Sequence, residues 1–271
     1  EIRFGEHRFA GNKFRFSQNA GKSTSSLSFE NFFGGRLQTS GSIDLTDQPI
    51  EWALTFSGEN IQSRELLKSS MNNLNLHAPL KIEGQLKTKG NTEQSLDENL
   101  KATVKLKSGE GSIDVSQLKQ ALILLDNLGG FSDDIAQLPN VLSYNSLMAE
   151  LQSQPSGTSL KVNLDNLEVS ASGKMALIKG DLNLNGTARV TTPKSEQQLK
   201  LPLILLNTPI PFRCRGRLMS PSCKPDTKVM SKIVFEHFKE EKQEQVKRKI
   251  DKEIERAIKN KMPEELKDVA R

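Results

Sequence analysis

The feature that most constrains this chain is a strict alternation of apolar with smaller or more polar side chains, repeated in segment after segment. Around residue 53, for example, every second position is apolar: Ile50, Trp52, Leu54 and Phe56. Successive side chains of a β-strand point to opposite faces, so this period of two predicts strands that are apolar on one face and polar on the other. Such strands are typical of an antiparallel sheet.

The same alternation predicts a strand in each of several further segments. These segments lie around residues 27–29, 37–45, 80–86, 100–106, 160–164, 167–171, 182–190 and 199–205. The fold class that follows is mainly β, built on a largely antiparallel sheet.

Helix signals before residue 227 are few and short. Asn60 or Ser63 is a suitable N-cap for a helix that reaches residue 71. A second helix is expected after Ser116, because leucines then follow at helical spacing until Gly129 and Gly130 end it. A third is expected after residues 132–134.

From residue 227 the chain changes character. Val234, Phe238 and Val246 begin a series of apolar residues that lie mostly four positions apart among closely mixed lysine, arginine and glutamate. This pattern predicts a long charged helix with one narrow apolar stripe. Three roles remain open for it: lying along the sheet, forming a coiled coil with a partner, or touching a membrane surface. We therefore divide the chain into a β domain, residues 1–226, and a helical segment, residues 227–271.

The predicted strands present more apolar surface than the predicted short helices can cover. About ten amphipathic strands share one apolar face. A sandwich or barrel would pack that face on itself, whereas a sheet curved into an open trough would leave an apolar groove. Periodicity does not separate these alternatives.

The two cysteines favour a disulfide. Eight residues lie between Cys214 and Cys223, and Ser220, Pro221 and Ser222 among them signal a turn that can bring the two Cα atoms within bonding range. A disulfide would imply an oxidising compartment; the alternative is two reduced cysteines in a cytosolic protein. Two further ligands for zinc are missing, so we predict no metal site.

Charge and hydropathy limit the classes of partner that we expect for this chain. The net charge of +5 would suit an anionic membrane or a nucleic acid, but lysine is spread along the chain and no arginine-rich segment is present, so we expect no nucleic acid. The longest apolar run, residues 121–125, is too short to cross a bilayer. Because the sequence begins with Glu1, we expect it to be a piece of a longer protein with its targeting segment upstream.

We find no group of residues in the sequence that is typical of a catalytic site. The three histidines, His7, His77 and His237, stand beside no convincing nucleophile or metal partner. Residues 20–24 are similar to the end of a phosphate-binding loop, but phenylalanine replaces the required glycine at position 16. We expect a protein that is not an enzyme and needs no cofactor.

Five segments, in order, resemble the C-terminal region of the AsmA family of Gram-negative envelope proteins. They are Gly58-Glu-Asn-Ile-Gln-Ser-Arg-Glu-Leu-Leu67, residues 79–90, residues 96–121, Gly180-Asp-Leu-Asn-Leu-Asn-Gly-Thr-Ala-Arg-Val190 and Thr208-Pro-Ile-Pro-Phe-Arg-Cys-Arg-Gly-Arg-Leu-Met-Ser-Pro-Ser-Cys-Lys-Pro-Asp226. The resemblance covers about residues 50–226. The departures are Ala102, where the family usually has glycine, and one inserted residue before Ile113.

The resemblance implies a protein held in the inner membrane by one N-terminal helix, outside this sequence, that projects into the periplasm. AsmA-like proteins resemble TamB and the bridge-like lipid transfer proteins, whose extended sheets roll into apolar grooves, and they are linked to outer-membrane biogenesis. The resemblance therefore favours the open trough over the closed sandwich.

Two functions follow as hypotheses. In the first, the apolar face binds or conducts phospholipid acyl chains between the two membranes. Its predicted lining is Trp52, Leu54, Phe56, Ile82, Val104, Leu106, Val162, Leu164, Leu184, Leu203 and Leu205. In the second, the chain is a periplasmic scaffold whose C-terminal helix recruits outer-membrane assembly factors.

Overall fold

The structure is a computed structural model that describes the chain in several stretches. The described residues are 2–4, 7–9, 11–70, 75–116, 119, 123, 139–193, 206–218, 220–226, 229 and 232. The chain divides into two compact units, Glu1–Asp226 and Thr227–Arg271. In the second unit Val229 and Lys232 are helical; the rest of the predicted C-terminal helix lies outside the described residues, as do the strand at 199–205 and the helix after 132–134.

The described residues form seventeen strands and two short helices. The strands are β1 Ile2–Phe4, β2 His7–Phe9, β3 Lys13–Asn19, β4 Lys22–Phe32, β5 Gly35–Asp44, β6 Glu51–Gln62, β7 Leu76–His77, β8 Pro79–Lys89, β9 Lys101–Ser108, β10 Gly111–Asp114, β11 Val141–Tyr144, β12 Leu147–Gln154, β13 Gly157–Leu164, β14 Leu167–Ala176, β15 Asp181–Val190, β16 Ile210–Arg217 and β17 Ser220–Pro225. The helices are α1 Ser63–Ser70 and α2 Glu93–Glu98.

Twelve of the strands form one large antiparallel sheet. Its order is β17-β16-β15-β14-β13-β12-β9-β8-β6-β5-β4-β3, so each strand lies beside its neighbour in the chain apart from inserted segments after β6 and β9. The order is linear: the described sheet does not close into a barrel, and β3 and β17 are its edges. The prediction of a mainly β, antiparallel fold with few short helices is confirmed.

Two small sheets accompany the large one. β1 and β2 form a hairpin, and the order β11-β10-β7 forms a three-stranded sheet. β7 is inserted between β6 and β8, and β10 and β11 are inserted between β9 and β12. These insertions were not predicted, because strands of two to four residues are too short to show a periodicity.

The helices begin where the sequence supplies caps and anchors. Ser63, the first residue of α1 and one of its predicted caps, is fully buried; its hydroxyl donates to the Leu76 carbonyl at 2.7 Å and accepts from the Ala78 N–H at 2.8 Å. Helix α2 starts at a capping box in which Thr92 and Ser95 bond each other's backbone N–H groups. Ser116, Lys119 and Ile123 are helical, within the segment predicted as a second helix.

Burial is concentrated at one end of the large sheet. Ile61, Leu80 and Val190, which lie at that end of their strands, are 0%, 2% and 1% exposed. Nearby, Phe9 packs on Phe29 with ring centroids 5.7 Å apart. The middle of the apolar face is only half-buried, so much of its area stays accessible.

Glycines within strands make room for aromatic rings. A Cβ atom on Gly84 would lie 2.2 Å from Cζ of Phe56, which is directly opposite on β6, and one on Gly186 would lie 2.6 Å from Cζ of Phe212. The register runs through both glycines without a shift. The register shifts between Phe29 and Phe32 and between Gly58 and Ile61 instead.

Candidate functional site

The strand register gathers the apolar side chains onto one face of the large sheet. In antiparallel strands, residues that lie directly opposite share a face. One such row crosses ten strands from β4 to β16 without a polar side chain. It consists of Phe29, Leu37, Gly58, Ile82, Leu106, Ala149, Val162, Val169, Ala188 and Ile210.

The neighbouring rows of that face are also mainly apolar. The row through Phe56 continues through Gly84, Val104, Leu151 and Leu160. We call the surface made by these rows the apolar face.

The opposite surface is polar, and we call it the polar face. One row across seven of its strands consists of Ser57, Glu83, Lys105, Glu150, Lys161, Ser170 and Thr187. Ion pairs lie on this surface, for example Lys81 with Glu83 at 3.0 Å. Lys81 lowers the pKa of Glu83, first through its hydrogen bond and then through its charge.

All nine predicted lining residues that the structure describes lie on the apolar face. They are Trp52, Leu54, Phe56, Ile82, Val104, Leu106, Val162, Leu164 and Leu184. Leu203 and Leu205 lie outside the described residues. The register thus brings together on one surface residues up to 132 positions apart, from Trp52 to Leu184.

The accessibility of this face changes across the sheet. Trp52 and Leu54 are 39% and 41% exposed, whereas Leu184 is 3% exposed. Leu184 is buried because it packs with Ala171 and Cys214 on the adjacent strands. The more open part of the apolar face is therefore the part carried by β3 to β6.

An apolar cavity of about 330 Å³ lies over this open part. Its apolar lining is Phe16, Ile43, Trp52, Leu54, Leu86, Leu100, Leu177 and Ile178. Leu177 and Ile178 come from the turn between β14 and β15, five strands away from β6 in the sheet order. The cavity therefore joins two distant parts of the large sheet.

Hydrogen bonds hold that turn from two sides. The Asp97 carboxylate, in α2, accepts from the backbone N–H groups of Ile178 at 2.7 Å and Lys179 at 3.2 Å. The guanidinium of Arg217 donates to the Lys179 carbonyl at 3.2 Å, and the Leu218 N–H donates to the Gly180 carbonyl at 2.7 Å. The turn is thus fixed by contacts to α2 and to the β16–β17 hairpin.

Sequence reasoning missed several residues of the cavity. Phe14 and Phe16 alternate with Lys13 and Arg15, so a period-two signal was present in β3. Leu177 and Ile178 lie in a turn, where no periodicity marks which residues approach a distant strand.

The polar face of β3 to β6 carries two shallow depressions, of about 910 and 450 Å³. Both are lined by Arg15, Ser26, Ser40 and Thr55, and the hydroxyls of Ser40 and Thr55 lie 2.8 Å apart. Serine and threonine are the most numerous residues in both linings, and the larger depression is also lined by Phe14, Phe16 and Leu54.

The predicted disulfide is present. Cys214 on β16 and Cys223 on β17 are directly opposite, with Cα atoms 4.0 Å apart. The two strands form a hairpin, but Ser220, Pro221 and Ser222, which we expected in the turn, belong to β17 itself.

Comparisons with known proteins find similarity to one protein family. No helix within the described residues is both long and apolar enough to cross a membrane. No curated protein and no solved structure matches the sequence. The sequence model of the AsmA family matches residues 19–128, a segment that carries six of the predicted lining residues, from Trp52 to Leu106. The matched segment is less than half of the chain, and it supports an assignment to the AsmA family.

Proposed function

We propose that this AsmA-family chain is a non-enzymatic envelope protein whose apolar face binds the acyl chains of phospholipids. It would work in the periplasm, held at the inner membrane by a helix outside this sequence, and conduct lipid toward the outer membrane. The observation that carries the proposal is the apolar row across ten strands, together with the half-exposed Trp52 and Leu54. Surface of this kind is favourable for hydrocarbon, because each buried CH₂ group contributes about 0.8 kcal/mol.

The position of the β14–β15 turn supports a sheet that is curved into a trough. Five strand spacings of about 4.8 Å would separate β6 from β14 by about 24 Å if the sheet were flat. Yet Trp52 of β6 and Leu177 of the turn line one cavity of about 330 Å³. Curvature between them accounts for this approach and leaves the apolar face on the inner side.

Site-specific photo-crosslinking tests where the lipid lies. A photoreactive phenylalanine analogue would replace Leu54 or Leu106 on the apolar face, and in matched controls Ser57 or Lys107 on the polar face of the same strands. Irradiation in cells, followed by mass spectrometry, should give lipid adducts at Leu54 and Leu106 and none at the two controls. Equal labelling of both faces, or no lipid adduct at any position, would contradict the proposal.

Charge substitution gives an independent test. Leu54→Lys places an ammonium group in the proposed acyl path, whereas Ser57→Lys places it on the polar face of the same strand. Both side chains are exposed, so we expect both variants to fold. Native mass spectrometry of the purified chains should show lipid lost from Leu54→Lys and retained by Ser57→Lys. A lipid-free wild-type chain would leave the scaffold hypothesis in its place.

A further inference from the structure

We infer that β3 is a pairing edge through which two copies of this chain join, strand to antiparallel strand, into one continuous sheet. The inference concerns self-association and does not depend on lipid binding. It rests on the exposure of β3, the direction of its backbone groups, the pattern of its side chains, and the contrast with β17 at the other edge.

β3 is exposed along its whole length. All seven of its residues are exposed, and the rings of Phe14 and Phe16 are 64% and 59% exposed on the apolar face. The strand contains no proline, no acidic residue and no register shift against β4. An edge strand with exposed aromatic side chains is a ready template for another strand.

The β3–β4 turn fixes which backbone groups of β3 are free. Ala20 and Gly21 form a two-residue turn with φ values of 45° and 79°, typical of a type I′ hairpin. Such a turn makes Asn19 and Lys22 a hydrogen-bonded pair, and pairs along the hairpin then alternate between bonded and non-bonded. The N–H and C=O groups of the even-numbered residues of β3 therefore point away from β4, toward the open edge.

The side chains of β3 are self-complementary when two copies pair about Phe16. In that register Phe16 faces Phe16 of the other copy, and Phe14 faces Gln18. Lys13 faces Asn19 and Arg15 faces Ser17 of the other copy. No two positive charges therefore lie directly opposite each other, an arrangement that would oppose pairing. Residues directly opposite share a face, so the apolar faces of the two copies become continuous.

The other edge of the sheet is blocked. Pro221, Cys223 and Pro225 alternate along β17, and the 4.0 Å Cα separation of Cys214 and Cys223 identifies theirs as the close, non-hydrogen-bonded type of pair. The backbone N–H of these three positions would thus face outward, but proline has none. Because β17 cannot readily pair with β3 of another copy, association closes as a symmetric dimer and does not continue as a filament.

Sedimentation equilibrium of the full 271-residue chain tests the dimer. The wild-type chain should sediment at twice the 30.1 kDa mass of one chain. Phe16→Lys should abolish dimerisation, because it sets two ammonium groups opposite each other, and Phe16→Glu should do the same with two carboxylates. A mixture of these two variants should recover the dimer. Phe14→Lys is the matched control: its introduced charge faces Gln18, so we expect at least half of the chains to remain dimeric.

Cysteine cross-linking tests the register. Phe16→Cys should form an interchain disulfide under mild oxidation, because the two introduced thiols lie directly opposite. Gln18→Cys should not, because the two introduced thiols lie four residues apart along the paired strands. If a lysine variant fails to fold, the cross-linking pattern still tests whether β3 pairs with β3 of another copy. A monomeric wild-type chain, a Phe16→Lys chain that still dimerises, or equal cross-linking at the two positions would overturn the inference.

Discussion

The carboxylate of Asp97 accepts a 2.7 Å hydrogen bond from the backbone N–H of Ile178, which lies 81 residues later in the chain. Asp97 belongs to the connection between β8 and β9, whereas Ile178 lies in the turn between β14 and β15. In a flat sheet these connections would be four strand spacings, about 19 Å, apart. The bond therefore ties together two parts of the sheet that the strand order separates, and it places Leu177 and Ile178 over the apolar cavity.

Removing this carboxylate should loosen the turn. We expect Asp97→Ala to lower the free energy of unfolding by about 1.5 kcal/mol, since a hydrogen bond to a charged group is lost from a half-buried site. Urea unfolding measures the loss, and amide hydrogen exchange at Ile178 should become at least about tenfold faster. Glu98→Ala, next to Asp97 and exposed, is the control and should leave the exchange unchanged. Slow exchange at Ile178 in Asp97→Ala would show that the turn is held by other contacts.

The contact between Gly84 and Phe56 predicts an energetic coupling. Gly84→Ala should destabilise the fold by about 1–2 kcal/mol, because the new methyl group would overlap the ring of Phe56. In a Phe56→Leu background the same substitution should cost much less, so a double-mutant cycle in urea should give a coupling of at least about 0.5 kcal/mol. Gly109→Ala, whose methyl group would meet nothing within 4 Å, is the control. If the Gly84 and Phe56 substitutions had additive effects on the free energy of unfolding, the role assigned to Gly84 would be contradicted.

The stabilisation that Asp44 contributes to the fold should be lost in acid. Hydrogen bonds, first from the Thr46 hydroxyl and then from Lys22, lower the pKa of Asp44 from 3.8 to about 2. Because the folded-state pKa lies below the ordinary value, the stabilisation is complete above about pH 4 and disappears as the pH falls through about 2.

Carbon NMR of the Asp44 carboxyl group tests this value directly. Its titration midpoint should lie near pH 2, and Thr46→Val should raise that midpoint by removing the hydroxyl donor. Asp47, an exposed neighbour, provides the comparison signal. A wild-type midpoint near 4 would contradict the prediction.

The Cys214–Cys223 disulfide should stabilise the β16–β17 hairpin. Because it closes a loop of about ten residues in the unfolded chain, we expect the Cys214→Ser, Cys223→Ser double variant to lose about 2 kcal/mol of unfolding free energy. Urea unfolding of the wild-type chain with and without a reductant should show the same loss. If reductant lowers the stability of the double variant as well, the effect comes from elsewhere than the disulfide.

Most of the large sheet was predictable from local patterns. Segments such as that of Trp52, Leu54 and Phe56 form strands because alternation fits the pleat of a strand, and α1 begins at Ser63, one of the two residues predicted to start it. The roles of Gly84 and Gly186 were not predictable in this way: a glycine in an alternating segment equally suits a bulge and a site for an opposing ring. Only the residue across the strand decides between these, and a sequence pattern does not name that residue.

The sequence by itself determined that there is an apolar face and which side chains it carries, because the alternation of a strand is a property of each short segment of backbone. Tertiary structure alone decided how that face is arranged. The order of the strands makes a ten-strand row, and the approach of Leu177 to Trp52 depends on geometry accumulated over five strand spacings. No single segment of the sequence determines this accumulated geometry. The cavity could therefore not be predicted from the sequence, whereas the apolar face could.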